Sequence, residues 1–362
     1  VVAGRRVPAA EALQAAGLTA WEPAAKEGLA LVNGTACMTA IGVMAWHEAT
    51  VLMDSAIGLA AIGTEALLGT AESDAAPIQA LRPHPGQVRV AAALRERVAG
   101  SRLLEQAEAR RGALETERAL AGHGVALSIE LQEPYSLRCA PQWLGAAADA
   151  IDQVGAVLAV EANGVSDNPL FFPETGEVLH GGNFQGLHVA MAMDQLALAA
   201  SQLAVLSERR LARLVEPAHS RGLTPYLTGG RPGLDSGLMG LQLATTALVA
   251  EGRARLSPAS ALSISTNGNN QDVVSMGTTA ARKAAEVVRL TRPVLAAELL
   301  AVRLAADQRG PERFSPYARA VFGRLQALVA PLGADRPLAP EIGALEHALM
   351  AGALAPAQPV VA

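Results

Sequence analysis

The stretch from Val189 to Leu211 constrains this chain most. It is apolar on nearly every side until Ser207-Glu208-Arg209-Arg210. A helix without a polar face belongs inside a bundle, so this segment is read as a central helix. Leu238 to Ala250 reads the same way. Met276 to Arg309 is a third long segment, with a kink expected near Pro293. Leu81 to Ala121 carries more charge and is expected to form a surface helix and a loop.

Composition fits this reading. The chain has 362 residues, of which 51% are hydrophobic and only 3% aromatic. Its core must be filled by Ala, Leu, Val and Met, which suits closely packed helices. The exception is Asn168 to Phe184, where two short apolar runs flank Pro173-Glu174-Thr175-Gly176 and predict a small β-hairpin. No repeat or low-complexity linker divides the chain. One elongated all-α domain is expected over residues 1–362, with a peripheral helical cap from about 310 to 362.

Several function classes fall away early. The net charge is -5 and no long basic run occurs, which argues against nucleic acid. Cys37 and Cys139 form neither a disulfide framework nor a zinc pattern, so a reducing, cytoplasmic setting is expected. The seven histidines show no metal-ligand spacing, and no metal is assigned. Gly28 to Trp46 is uncharged over 19 residues, long enough to span a membrane. Asn33, Gly34, Thr35 and Thr39 interrupt it and no aromatic or basic belt flanks it, so a buried helix is expected instead. No signal peptide opens the chain, and its start at Val1 points to processing, truncation or a fragment.

Four polar islands interrupt the helical background. The first is Asn33-Gly34-Thr35. A buried carboxamide costs about 1–3 kcal/mol unless it is hydrogen-bonded, although a helix cap would also explain these residues. The second is Gln132, Tyr135 and Arg138, whose three-residue spacing puts them on one face of a helix. Arg offers a fork for a carboxylate, and Tyr a phenol for proton transfer; a helix start with an ion pair is the structural alternative. The third comprises residues 161–172 and 180–186, with Phe184 between Asn183 and Gln185, where turn chemistry competes with a substrate wall. The fourth, Thr266 to Asp272, holds Asn267, Asn269, Asn270 and Gln271, more amides than a helix cap requires.

Read in order, "AAKEGLALVNGT", "PYSLRCAPQ", "EANGVSDNPLFF", "HGGNFQG" and "NNQDVVSMG" closely resemble the aromatic amino acid ammonia-lyases and aminomutases, among them the histidine, phenylalanine and tyrosine ammonia-lyases. The resemblance implies the fumarase/aspartase-like helical bundle and a homotetramer. It implies elimination of ammonia from an aromatic L-amino acid by methylidene-imidazolone (MIO), an electrophile formed from an internal Ala-Ser-Gly. By the same resemblance, Arg138 binds the substrate carboxylate. Asn33 and Tyr135 hydrogen-bond the MIO group and the amine, with Gln132 nearby. Phe184 lines the pocket, and Asn270 and Gln271 sit at the MIO and substrate end.

The 362 residues contain no Ala-Ser-Gly; the nearest strings are Asp235-Ser236-Gly237 and Ala259-Ser260-Ala261. The chain is therefore expected to match only the C-terminal part of the family pattern. An N-terminal partner chain or fragment is expected to bring the MIO group and the base. Gln185 and Gln271 favour phenylalanine or tyrosine as substrate over histidine. A histidine ammonia-lyase, an aromatic aminomutase or a non-catalytic binding subunit are the alternatives.

Overall fold

The structure is a computed structural model that describes residues 2–121, 132–231 and 233–355. Leu131, at the head of the tyrosine island, and residues 356–362 of the expected cap lie outside the described residues. The helices in chain order begin with α1 (Ala9–Ala15), α2 (Glu27–Val32), α3 (Ala36–Ala66), α4 (Ala76–Ala80), α5 (Pro85–Val98) and α6 (Arg102–Ala121). Then come α7 (Tyr135–Arg138), α8 (Ala140–Ala162), α9 (Leu187–Val215), α10 (Met239–Ala254), α11 (Gly277–Arg309), α12 (Pro316–Leu325) and α13 (Ala339–Met350). Strands β1 (Leu170–Phe172) and β2 (Glu177–Leu179) pair antiparallel, Leu170 opposite Leu179, as the expected hairpin.

The core is the packing of α9 against α11, with α3 and α8 alongside. Leu196, Leu203, Val294, Leu295 and Leu299 are wholly buried there. Alanines at 280, 281, 284, 296, 297, 301 and 305 keep α11 slim, so its neighbours approach closely. α11 runs 33 residues through Pro293 as a single helix. At 31 residues, α3 extends about 46 Å at 1.5 Å per residue. α3, α8 and α9 are each long and apolar enough to cross a membrane, and all three pack into the bundle. After α11, α12 lies on α5, and α13 on α11 and α3.

Two expected core segments are corrected. Gly28–Trp46 is not one buried helix. Its first part is α2, with no buried residue and with Leu31 and Val32 69% and 83% exposed; α3 begins only after a turn at Asn33–Thr35. The break has a local cause. Gly34 has φ +87, and a Cβ there would sit 2.9 Å from Ser166 Oγ, so neither the backbone nor the space allows the helix to continue. α10 is likewise peripheral: it buries only Thr245, Val249 and Gly252, leaving Leu243 63% exposed. Its apolar composition resembles that of α9, but only one side of it meets α9 and α11.

Candidate active site

Three long helices start at one point. The caps of α3, α9 and α11 are Thr35, Gly186 and Met276. A Cβ at Gly186 would lie 2.4 Å from Met38 Sδ and 3.2 Å from Thr35 Cγ2, and one at Gly277 would lie 2.3 Å from the same sulfur. Only glycine admits so close a meeting. The three N-termini therefore direct backbone N–H groups and positive dipole ends toward a shared region, which favours negative charge there.

Beside this junction lies a cleft of about 910 Å³. Asn33 and Gly34 form one wall; Gly164 to Asn168, with Phe184 and Gln185, form a second; Asn270 to Ser275 form a third. Three of the four polar islands thus converge. The amide loop is folded on itself. Thr266 and Gln271 pair as an isolated bridge, the Thr266 hydroxyl donates to Gln271 Oε1 at 2.8 Å, and Asn267, Gly268 and Asn269 all have φ between +50 and +62. With its oxygen occupied, Gln271 keeps its amide N–H groups for the cleft. Gln185 Nε2 donates to Val273 O at 3.5 Å, which joins the second wall to the third. Asn183 Nδ2 donates to Val165 O, and Asn168 Oδ1 accepts from Gly181 N, so the hairpin loop is held by its own amides.

The fourth island lies elsewhere. α7 sits at the opposite end of α3, where Arg221 donates to Leu67 O, Leu68 O and the buried Glu133 just upstream of Tyr135. Tyr135 and Arg138 stack, with the guanidinium carbon 4.8 Å from the ring centroid; Arg138 Nε is buried without a partner among the described residues, and Tyr135 is 68% exposed. Gln132 is not on the same helical face. Pro134 caps α7 in an extended conformation, so the helix spans only Tyr135–Arg138 and Gln132 lies in the bend before it. Within one chain, then, Asn33, Phe184, Asn270 and Gln271 come together, while Gln132, Tyr135 and Arg138 stand the length of α3 away.

Two charged residues, Asp167 in the cleft wall and Lys26 beside it, went unassigned in the sequence. Lys26 is one of only two lysines in the chain. Its ammonium pairs with Asp167, donates to Pro169 O and lies 4.7 Å from the Phe171 ring centroid. The hydrogen bond that Asp167 accepts from Lys26 holds its carboxyl below the usual carboxylate range. Both residues lie inside the motifs quoted above, and the rarity of lysine was the available signal. Among the described residues no group of His, Cys, Asp and Glu is arranged to hold a metal. Both cysteines are free.

Comparison with known proteins agrees with the fold. The aromatic amino acid lyase family profile matches residues 1–327. The chain is 45% identical to a histidine ammonia-lyase of Symbiobacterium thermophilum, over 100% of this chain and 67% of that protein. It is 42% identical to a tyrosine ammonia-lyase of Cupriavidus metallidurans, over 97% of this chain and 66% of that protein. Among solved structures, a tyrosine aminomutase from Streptomyces globisporus superposes with a TM-score of 0.91 at 40% identity, covering 97% of this chain and 67% of that one. The all-α bundle with a small hairpin is thus the fold of these relatives, and the chain spans about two thirds of their length.

These matches correct three expectations. The match is not confined to a part of the chain: the family profile covers residues 1–327, and alignment to these two relatives takes in 97–100% of the chain. Nor do they support a separate MIO-bearing partner, because each relative carries the whole match within one polypeptide, so the source of MIO is not assigned to another chain. The preference for a phenylalanine or tyrosine lyase subunit also falls, since histidine lyases and aromatic aminomutases match at least as well. The chain belongs to the aromatic amino acid lyase family.

Proposed function

We propose that the cleft is the active site of a carbon–nitrogen lyase that expels ammonia from an aromatic L-amino acid, as a histidine ammonia-lyase or an aromatic aminomutase. The convergence of Asn33, Phe184, Asn270 and Gln271 at three helix N-termini carries this reading. The cleft offers amide and backbone donors, and the side chains of Asn33 and Asn270 take no hydrogen bond from any described residue. Such a donor set fits a group that gains electron density at an oxygen, as MIO does. MIO supplies the electrophile that makes the substrate amine a leaving group or its β-proton acidic. Asn33 and Gln271 would hold that group and the substrate amine by hydrogen bonds, and Phe184 would lie against the aromatic ring.

The carboxylate anchor is assigned to Arg138 and the phenol to Tyr135, both supplied by a second copy of this chain. A substrate zwitterion spans only a few ångströms, whereas α3 separates these residues from Asn33 by about 46 Å. Two copies packed antiparallel would bring one copy's α7 to the other's cleft. Gln132 would accompany them.

Incubation with L-histidine, L-tyrosine and L-phenylalanine, followed by ammonia release and ultraviolet absorbance of the unsaturated acid, tests the reading. Chromatography for a β-amino acid separates an aminomutase from a lyase. No conversion of any aromatic amino acid would overturn it. Mixing Asn33→Ala protein with Arg138→Lys protein tests the shared site: recovered activity supports it, and no recovery places each site within one chain.

A further inference from the structure

α2 is a weak element in a sensitive place. It has six residues, none of them buried, and carries Asn33 as its C-cap. A helix this short does not hold itself in water, so its position comes from what fastens its ends. At the Asn33 end the fastening is the contact of Gly34 and Thr35 with Ser166; Thr35 N lies 3.5 Å from Ser166 Oγ. At the other end, Lys26 is the N-cap and adopts a left-handed conformation, φ +70, that a lysine rarely takes. Its side chain reaches across to Asp167, Pro169 O and the Phe171 ring. Both fastenings meet the 164–168 wall, through Ser166 and Asp167.

We propose that the Lys26–Asp167 pair is a latch that fixes α2 and thereby sets the position of Asn33 over the cleft. Lys26 is a positioning residue: it lines no part of the cleft and acts through Asn33. Its catalytic consequence rests on the lyase reading above, while the latch itself does not. Each side chain is 32% exposed, so the pair is accessible to salt and contributes little to global stability.

The test uses Lys26→Met, Asp167→Asn, Lys26→Arg and the exchanged pair Lys26→Asp with Asp167→Lys. Amide hydrogen exchange over residues 27–35 is measured without substrate, alongside the melting temperature and kcat and KM. The latch predicts exchange in this segment about tenfold faster or more in Lys26→Met and Asp167→Asn, with the melting temperature unchanged. It predicts a kcat lower by roughly 10- to 100-fold, with a smaller change in KM, because a displacement of about 1 Å at the reacting groups has that effect. Lys26→Arg and the exchanged pair should recover both. Unchanged exchange in Lys26→Met overturns the latch, whatever the activity. Faster exchange with wild-type kcat overturns the positioning role. Faster exchange in a protein whose wild type turns over no amino acid upholds the latch and removes the lyase reading instead.

Discussion

The two ends of α3 treat polar groups in opposite ways. At its C-terminal end and inward along the bundle, the buried carboxylates are answered by donors from other elements. Glu65 accepts from Ser315 N and Oγ at 2.6 and 2.8 Å. Glu133 takes both Arg111 and Arg221. Arg210 and Glu298, wholly buried, form a two-pronged pair, with Nη2 to Oε2 at 2.9 Å. At the N-terminal end, Asn33, Phe184, Asn270 and Gln271 are exposed around a cleft, and the side chains of two of the three amides have no hydrogen-bond partner among the described residues. Paired polar groups fasten the fold; unpaired ones in a cleft are available to a ligand.

That contrast is broken most severely in the core. Glu298→Ala would leave the Arg210 guanidinium buried without its counter-charge, and about 3–5 kcal/mol of stability should be lost. Denaturant unfolding with a wild-type midpoint would contradict this. Asn33→Ala should do the reverse. Stability should stay within about 0.5 kcal/mol because the side chain is exposed. Removal of a donor at developing charge should lower kcat by about 10²–10³-fold. A variant that loses stability and activity together would blur the distinction.

Arg138→Lys sits between these extremes. It keeps the charge, loses the fork and the stacking on Tyr135, and should cost about 2–4 kcal/mol in kcat/KM at little cost in melting temperature. Wild-type kcat/KM would remove Arg138 as the anchor.

pH should act on stability alone. Burial raises the Glu65 and Asp74 carboxyls to about 7. Between the ordinary carboxylate range and about 7, the folded protein keeps protons that the unfolded chain has released. Lowering the pH from 7.5 to 5 should therefore stabilise the fold, by at most about 3 kcal/mol per group. Glu65→Gln should flatten its share of that rise. A melting temperature that falls over this interval would contradict the assignment.

Much of the fold was legible because α9 and the 168–184 hairpin carry their patterns locally. Gly28–Trp46 misled because its apolar run says nothing of where the chain bends. The bend comes from Ser166, 132 residues beyond Gly34, filling the space where a Cβ would point. α10 misled because apolar composition does not reveal how many sides of a helix find a neighbour in the same chain. The islands at Asn33, Phe184 and Asn270 were legible as polar breaks in apolar surroundings. Their separation from Tyr135 and Arg138 was not, because i,i+3 spacing fixes neighbours on one helix and gives no distance between helices.

The length of α3 has a genetic consequence. If an Asn33 end of one subunit meets an Arg138 end of another, a pair of subunits related by a two-fold axis holds two sites, each with contributions from both. Take one allele carrying Asn33→Ala and a second carrying Arg138→Lys, each defective alone. In a mixed pair both lesions fall on one site and the other is wholly wild type. Two alleles damaged at opposite ends of the helix should then complement in one cell, whereas two alleles damaged at the same end should not.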